Sequence, residues 1–432
     1  MDATARALKL LEQDAQGMFA RVDAISPFAL QMPMVAAANV SPQAQAALEQ
    51  HMVRVRADLR RRVLAFIAEA KAAPAGTDSV VLVQRRFALL KLYFQAGLSH
   101  FDIFADALTQ RSQHGMGVWL AGLDVAAGDA LDLPGYYQRP PVICYVDRGH
   151  GAAIRRARTR LPGGGENPVA IVRIPRERMV GTGIASSLFH EVGHQAAALL
   201  DLVNAFKRSL TRRYAAGRDL PPVWRAWERW LSEIVADLWS VSRAGLSSSL
   251  GLMSVVSLPK AFVFRISLDD AHPSPWIRVQ ISLAIGHALY PDPQWQAMRD
   301  VWLRLYPIDL ASGEQRKLLE QLQAGIPELV GFLMTQQPPR LKGKSIAQAL
   351  RIPSRATAAL RQTWRTWQRE PARMPRARPS LAFAVLGQAR ADGALPARAE
   401  QKILETLLQR WAMDSYHPFS PTTQSAPMAL AA

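Results

Sequence analysis

Cysteine is nearly absent: Cys144 is the only one in 432 residues. That excludes an intramolecular disulfide framework and any metal site built from several thiolates. Long apolar runs are missing as well. The best candidate, Leu246 to Leu258, falls short of the ~20 residues a membrane span needs and runs into Pro259 and Lys260. The opening stretch "MDATARALKLLEQDAQGMFARV" reads as an amphipathic helix whose acids interrupt any apolar core, so no secretory signal is expected. The run Gly163-Gly164-Gly165 lacks the Gly-Lys-Ser/Thr ending of a phosphate loop, which argues against nucleotide binding. Zinc-finger spacing, an aromatic ribonucleoprotein signature and a leucine zipper are all missing, which argues against nucleic acid despite the net charge of +17. Together these absences point to a cytoplasmic, globular protein without a membrane span.

The basic excess is unevenly spread. From Arg340 to Ala432 there are 15 Lys/Arg against 5 Asp/Glu, so ten of the seventeen excess charges lie in the last fifth of the chain. Most are Arg among Ala, Leu and Gln, the pattern of a solvated helix face; the sharper reading is a surface for an acidic protein partner.

Helical periodicity marks the first 115 residues, with Ser41 as a cap for a helix through Ala73 and a second run from Val80 to about Gln113. The texture then changes. "PPVICYVD" (Pro140 to Asp147) and "VAIVRIP" (Val169 to Pro175) are strand candidates, separated by a basic, Gly-rich loop. From Gly181 onward nearly everything reads as helix. Three regions follow: an N-terminal helical region at 1–115, a central region at 116–300 that holds the chemistry below, and a basic helical region at 301–432.

The chemistry-bearing stretch is "SSLFHEVGHQAAALL", Ser186 to Leu200. On a helix, His190 and His194 lie one turn apart on one face and aim two imidazoles at one point, with Glu191 beside them. Zinc needs such neutral nitrogen ligands and an open position for water, whose pKa it lowers toward about 7. The pattern arises by chance in about 1% of chains of this composition, so a third ligand must decide. "WERWLSEIVADLWSV" offers one. Trp227, Trp230, Leu231, Ile234, Leu238 and Val241 trace an apolar helix face, and Glu233 and Asp237 border it, where unpaired carboxylates would be costly. Glu233 as ligand and Asp237 as acceptor for the second nitrogen of a ligand histidine would satisfy both. The alternative is a solvated pair capped by an arginine such as Arg229.

Across roughly Pro140 to Tyr290 this arrangement resembles the gluzincin metallopeptidases, with HExxH on one helix and ExxxD on a later one. The resemblance implies zinc bound by His190, His194 and Glu233, Glu191 as general base, and Asp237 as the residue orienting a ligand. It also implies that the strand before the zinc helix, here "VAIVRIP", forms a sheet edge that pairs with extended substrate. "DDAHPSPWIRV" (Asp269 to Val279) is similar to the His-Pro…Arg segment of the CAAX-prenyl-endopeptidase group. By that similarity His272 hydrogen-bonds the oxyanion and Arg278 braces the site through a carboxylate; the alternative is a proline-rich turn that caps the next helix. The chain departs from that group in lacking a spanning helix, and the gap between His194 and Glu233 is longer than in compact gluzincins.

The expected fold is α+β, mainly α: helical bundle regions flanking a gluzincin-like zinc domain with a small β-sheet. The expected function is a zinc metallopeptidase acting on a peptide or protein. Its rivals are a peptidase-like binding or scaffold protein without turnover, and a basic helical nucleic-acid binder. His51, His100, His114, His150, His287 and His417 show no ligand spacing and read as surface or core residues.

Overall fold

The computed structural model describes residues 3–416, except 29–33, 75, 114, 150, 177–180, 182, 215–220 and 268. His114, His150 and His417 therefore lie outside the described residues. The chain forms two compact units: Met1–Ala121, Pro140–Tyr145 and Arg155–Ile171 in the first, and Gly122–Arg139, Val146–Ile154 and Val172–Ala432 in the second. Among the described residues, no helix is long and apolar enough to cross a membrane.

In the first unit, helices α1 (Ala3–Asp23), α2 (Pro42–Ala72) and α3 (Thr77–Thr109) pack as a bundle. Ser41 caps α2 by accepting from the Ala44 backbone N–H, and Pro42 occupies the first turn, where a missing N–H costs nothing. Met18 and Val22 of α1, Val63 and Phe66 of α2, and Phe87, Leu90 and Phe94 of α3 form one core cluster. Gly97 lets α3 approach α2 closely, since a methyl group there would meet Leu59 Cδ1 at 2.8 Å. A second cluster joins Leu48, Met52 and Phe104 to Ile143, Leu161 and Ile171.

Between residues 116 and 175 lie α4 (Met116–Leu131) and three strands: β1 (Val142–Asp147), β2 (Ala153–Arg155) and β3 (Ala170–Pro175). Both strands expected from the sequence are present, and β2 is an addition. The sheet order is β1-β3-β2. This corrects one expectation: "VAIVRIP" supplies β3, the central strand, with β1 on one side and the three-residue β2 on the other, so it is not an edge strand of the sheet. Its nearly unbroken apolar run fits a strand buried on both faces, and only Arg173 is half-buried.

In the second unit the long helices are α5 (Gly183–Leu199), α6 (Leu202–Tyr214), α7 (Pro222–Ala244), α8 (Leu246–Val256), α9 (Pro275–Leu289), α10 (Pro293–Leu305), α11 (Gly313–Thr335), α12 (Thr357–Arg369), α13 (Pro379–Ala391) and α14 (Ala397–Tyr416). Residues 301–416, expected as a basic C-terminal region, thus belong to the same unit as the HExxH helix. Trp227, Trp230 and Trp239 of α7, Trp276 of α9 and Trp302 of α10 are fully buried. Helices α5 and α7 pack closely. A methyl group on Gly193 would lie 2.8 Å from Ala236 O and 3.0 Å from Trp239 Cβ, so the glycine inside HExxH lets the two backbones touch. On another side of α5, Phe189 meets Phe383 of α13 edge-on, with centroids 5.6 Å apart.

Candidate metal centre

Helix α5 carries His190 and His194 one turn apart, as their spacing requires, with ring centroids 4.8 Å apart and nearly perpendicular planes. Helix α7 brings Glu233 against both rings. Glu233 Oε2 lies 3.2 Å from His190 Nε2 and Oε1 lies 3.3 Å from His194 Nε2. The other nitrogen of His190, Nδ1, is 2.8 Å from Asp237 Oδ1. Since the carboxylate only accepts, Nδ1 carries the proton of this bond and Nε2 is turned toward Glu233. His194 Nδ1 stands 3.3 Å from Ser232 Oγ, one residue before Glu233 on the same helix.

Arg278 of α9 closes the arrangement from behind. Its Nε donates to Asp237 Oδ2 at 2.7 Å and Nη2 to Oδ1 at 3.0 Å, a two-pronged grip on one carboxylate, and Nη2 is also 3.2 Å from Glu233 Oε2. Glu191, Glu233 and Asp237 are all buried, so the solvated-pair reading fails. Arg229 does not cap them; it donates to the Asp269 carbonyl instead.

The electrostatics follow from this packing. Burial alone would raise the Glu233 and Asp237 carboxyls, but His190, His194 and Arg278 outweigh it at Glu233, which is held far below the usual carboxylate range. Arg278 and His190 likewise bring Asp237 down to about 2. Burial would lower His190, yet the Asp237 charge and hydrogen bond lift it to about 9. Glu191 behaves differently: burial pushes it up, only partly opposed by the two histidines. It is the one carboxyl of the group driven toward holding a proton.

His190, His194 and Glu233 each offer a ligand atom, and these atoms lie within 4.8 Å of one another. Zinc bonds of about 2.05 Å at tetrahedral angles separate neighbouring ligand atoms by about 3.3 Å. The two observed nitrogen–oxygen separations are each close to that edge, His190 Nε2 against Glu233 Oε2 and His194 Nε2 against Oε1. Glu233 Oε2 is moreover buried without a well-formed hydrogen bond, the state of an oxygen built for another partner. The donor set of two imidazoles and one carboxylate therefore fits a divalent metal such as zinc.

The remaining expected residues sit nearby with less constraint. His272 is more than half exposed; its Nε2 is 3.5 Å from Glu233 Oε2, while Nδ1 and the backbone N–H both reach Asp270 Oδ1. Two contributors escaped the sequence reading. Ser232 and Asp270 hold His194 and His272, and neither short polar side chain carries a spacing signal of its own.

Among known proteins, the chain matches no family model, no curated protein and no solved structure.

Proposed function

We propose that the chain is a zinc-dependent metallopeptidase of gluzincin type, with His190, His194 and Glu233 as ligands and Glu191 as general base. The observation that carries this reading is the convergence of the two histidine Nε2 atoms on the two oxygens of one buried glutamate, with Asp237 behind the first ring. His190, His194 and Glu233 would hold the zinc, which when bound would supply a Lewis acid for a peptide carbonyl and lower the pKa of a water toward about 7. Glu191 takes the proton from water and passes it to the leaving amine; its raised pKa suits a group that must hold that proton between the two steps. Asp237 fixes the His190 ring, Arg278 holds Asp237 ionised, and Ser232 steadies His194. His272, exposed beside Glu233, donates to the oxyanion of the substrate.

The substrate is a peptide or protein chain. Several of the basic C-terminal residues pair within their own unit: Arg361 with Asp392, Arg378 with Asp129 and Asp132, and Arg390 with Glu400.

Purification without chelator should yield about one zinc per chain. Glu191→Gln should keep the zinc while hydrolysis of a peptide library falls by about 10²–10⁴-fold, the usual loss of a general base. Zinc retained by the His190→Ala/His194→Ala double variant overturns the ligand set. Zinc-loaded protein that cleaves no peptide makes the chain a metal-holding binding protein instead.

A further inference from the structure

A second site lies in the first unit, independent of the metal centre. His51 of α2 and His100 of α3 are both buried, and they meet at 3.2 Å between His51 Nε2 and His100 Nδ1. His100 Nε2 lies 2.7 Å from the carbonyl of Pro162. A carbonyl only accepts, so His100 Nε2 carries a proton. With the Nε2–H tautomer, His100 Nδ1 accepts from His51 Nε2–H. That leaves Nδ1 of neutral His51 as an acceptor with no partner among the described residues. Burial, with His100 and Arg54 adding to it, pushes His51 down to about 4, so it is neutral near pH 7.

Both rings line a cavity of about 530 Å³, within the roughly 300–1,000 Å³ usual for small-molecule sites. Its roof is the Gly163-Gly164-Gly165 run, all three at positive φ. A methyl group on Gly165 would sit 3.7 Å from His51 Cε1, so any larger side chain there would crowd this edge of the ring, where Cε1 lies between the two nitrogens. Val55, Leu59 and Tyr93 give an apolar wall. Asp58 is engaged by Arg61 and Arg62, and Arg62 lies over the Tyr93 ring at 4.5 Å. Arg54 and Glu166 also line the cavity, yet neither forms an ion pair with a described residue, and they do not pair with each other. One cavity thus presents a free cation, a free anion set apart from it, a bare acceptor nitrogen and an apolar wall.

We propose that this cavity binds a free α-amino acid with an apolar side chain. The carboxylate meets Arg54, the ammonium donates to His51 Nδ1 and faces Glu166, and the side chain packs on Val55, Leu59 and Tyr93. A simple organic acid would leave His51 Nδ1 and Glu166 unanswered, and a simple amine would leave Arg54 so.

The test is calorimetric titration of the full chain near neutral pH with L-leucine, isocaproate (leucine without its ammonium) and isoamylamine (leucine without its carboxylate). Leucine should bind about tenfold or more tightly than either analogue, the usual scale for losing a hydrogen bond to a charged group. Arg54→Gln and Glu166→Gln, both at exposed positions, should each weaken leucine by about tenfold while leaving zinc content unchanged. No leucine binding at millimolar concentration overturns the proposal. So does isocaproate binding as tightly as leucine, or leucine binding indifferent to both substitutions. Because zinc content is read in the same samples, failure here leaves the metal centre untouched, and loss of zinc from the wild type leaves this site untouched.

Discussion

At the scale of single residues, Asp237 and Glu233 look alike in sequence, four apart on one helix face, but the structure gives them different duties. Glu233 faces two ring nitrogens directly, whereas Asp237 touches one ring from behind and is itself held by Arg278. Asp237→Asn should therefore weaken zinc affinity by about 10–100-fold, as loss of an orienting partner does, while Glu233→Gln should lose far more. A zinc titration of both variants reads the difference, and equal, complete loss would make Asp237 a ligand. His51 supplies a pH dependence. Its folded pKa of about 4 lies below the ordinary histidine value of 6.5, so below 6.5 the unfolded chain binds the extra proton. The stabilisation from keeping this ring neutral is present above pH 6.5 and is lost as pH falls toward 4, by on the order of 3 kcal/mol. Urea unfolding across that window should show the loss, and His51→Asn should flatten it. The His51–His100 pair was hidden in the sequence because the partners are 49 positions apart on different helices, whereas His190 and His194 announce themselves through one turn of one helix.

At the scale of elements, what was legible tracks how strongly a segment alternates between apolar and polar. Helix α2 was readable from Ser41 to its end because it keeps one wet face and begins on a capping serine. Helix α4, "MGVWLAGLDVAAGDAL", was not expected. It is apolar nearly all round, so its pattern carries little period to read. Strand β2 is three residues long and becomes a strand only by pairing with β3, which no local pattern can announce. That hidden partner is also why β3 looked like an edge. The candidate site itself was legible, since both of its helices repeat at helical spacing, but Ser232 and Asp270 were not. Packing between elements gives a further expectation. Gly193→Ala would drive a methyl group into the Ala236 carbonyl at 2.8 Å, forcing α5 and α7 apart. Stability should fall by about 1–3 kcal/mol, the range for overpacking a tight contact, with weaker zinc binding because Glu233 moves away from the histidines. Thermal melting with and without added zinc checks both; an unchanged melt would show that the interface yields freely.

At the scale of the whole molecule, the basic residues after Arg340 look like a detachable arm when read as charge alone. Their apolar companions decide otherwise. Trp364, Trp367, Phe383 and Trp411 are all buried, and Phe383 lies against Phe189 on the helix that bears both candidate histidine ligands. A truncation after Gln337 should therefore expose these contacts and aggregate, by sedimentation or light scattering. A soluble, zinc-loaded fragment would show that the C-terminal helices are dispensable to the site. The Phe189–Phe383 contact also bears on the order in which the molecule comes into being. Proteins emerge from the ribosome N-terminus first, and the two faces of this contact are separated by nearly half the chain. While translation continues, the histidine helix lacks this neighbour, so its packing against Phe383 is completed only after the later helices of its unit have followed.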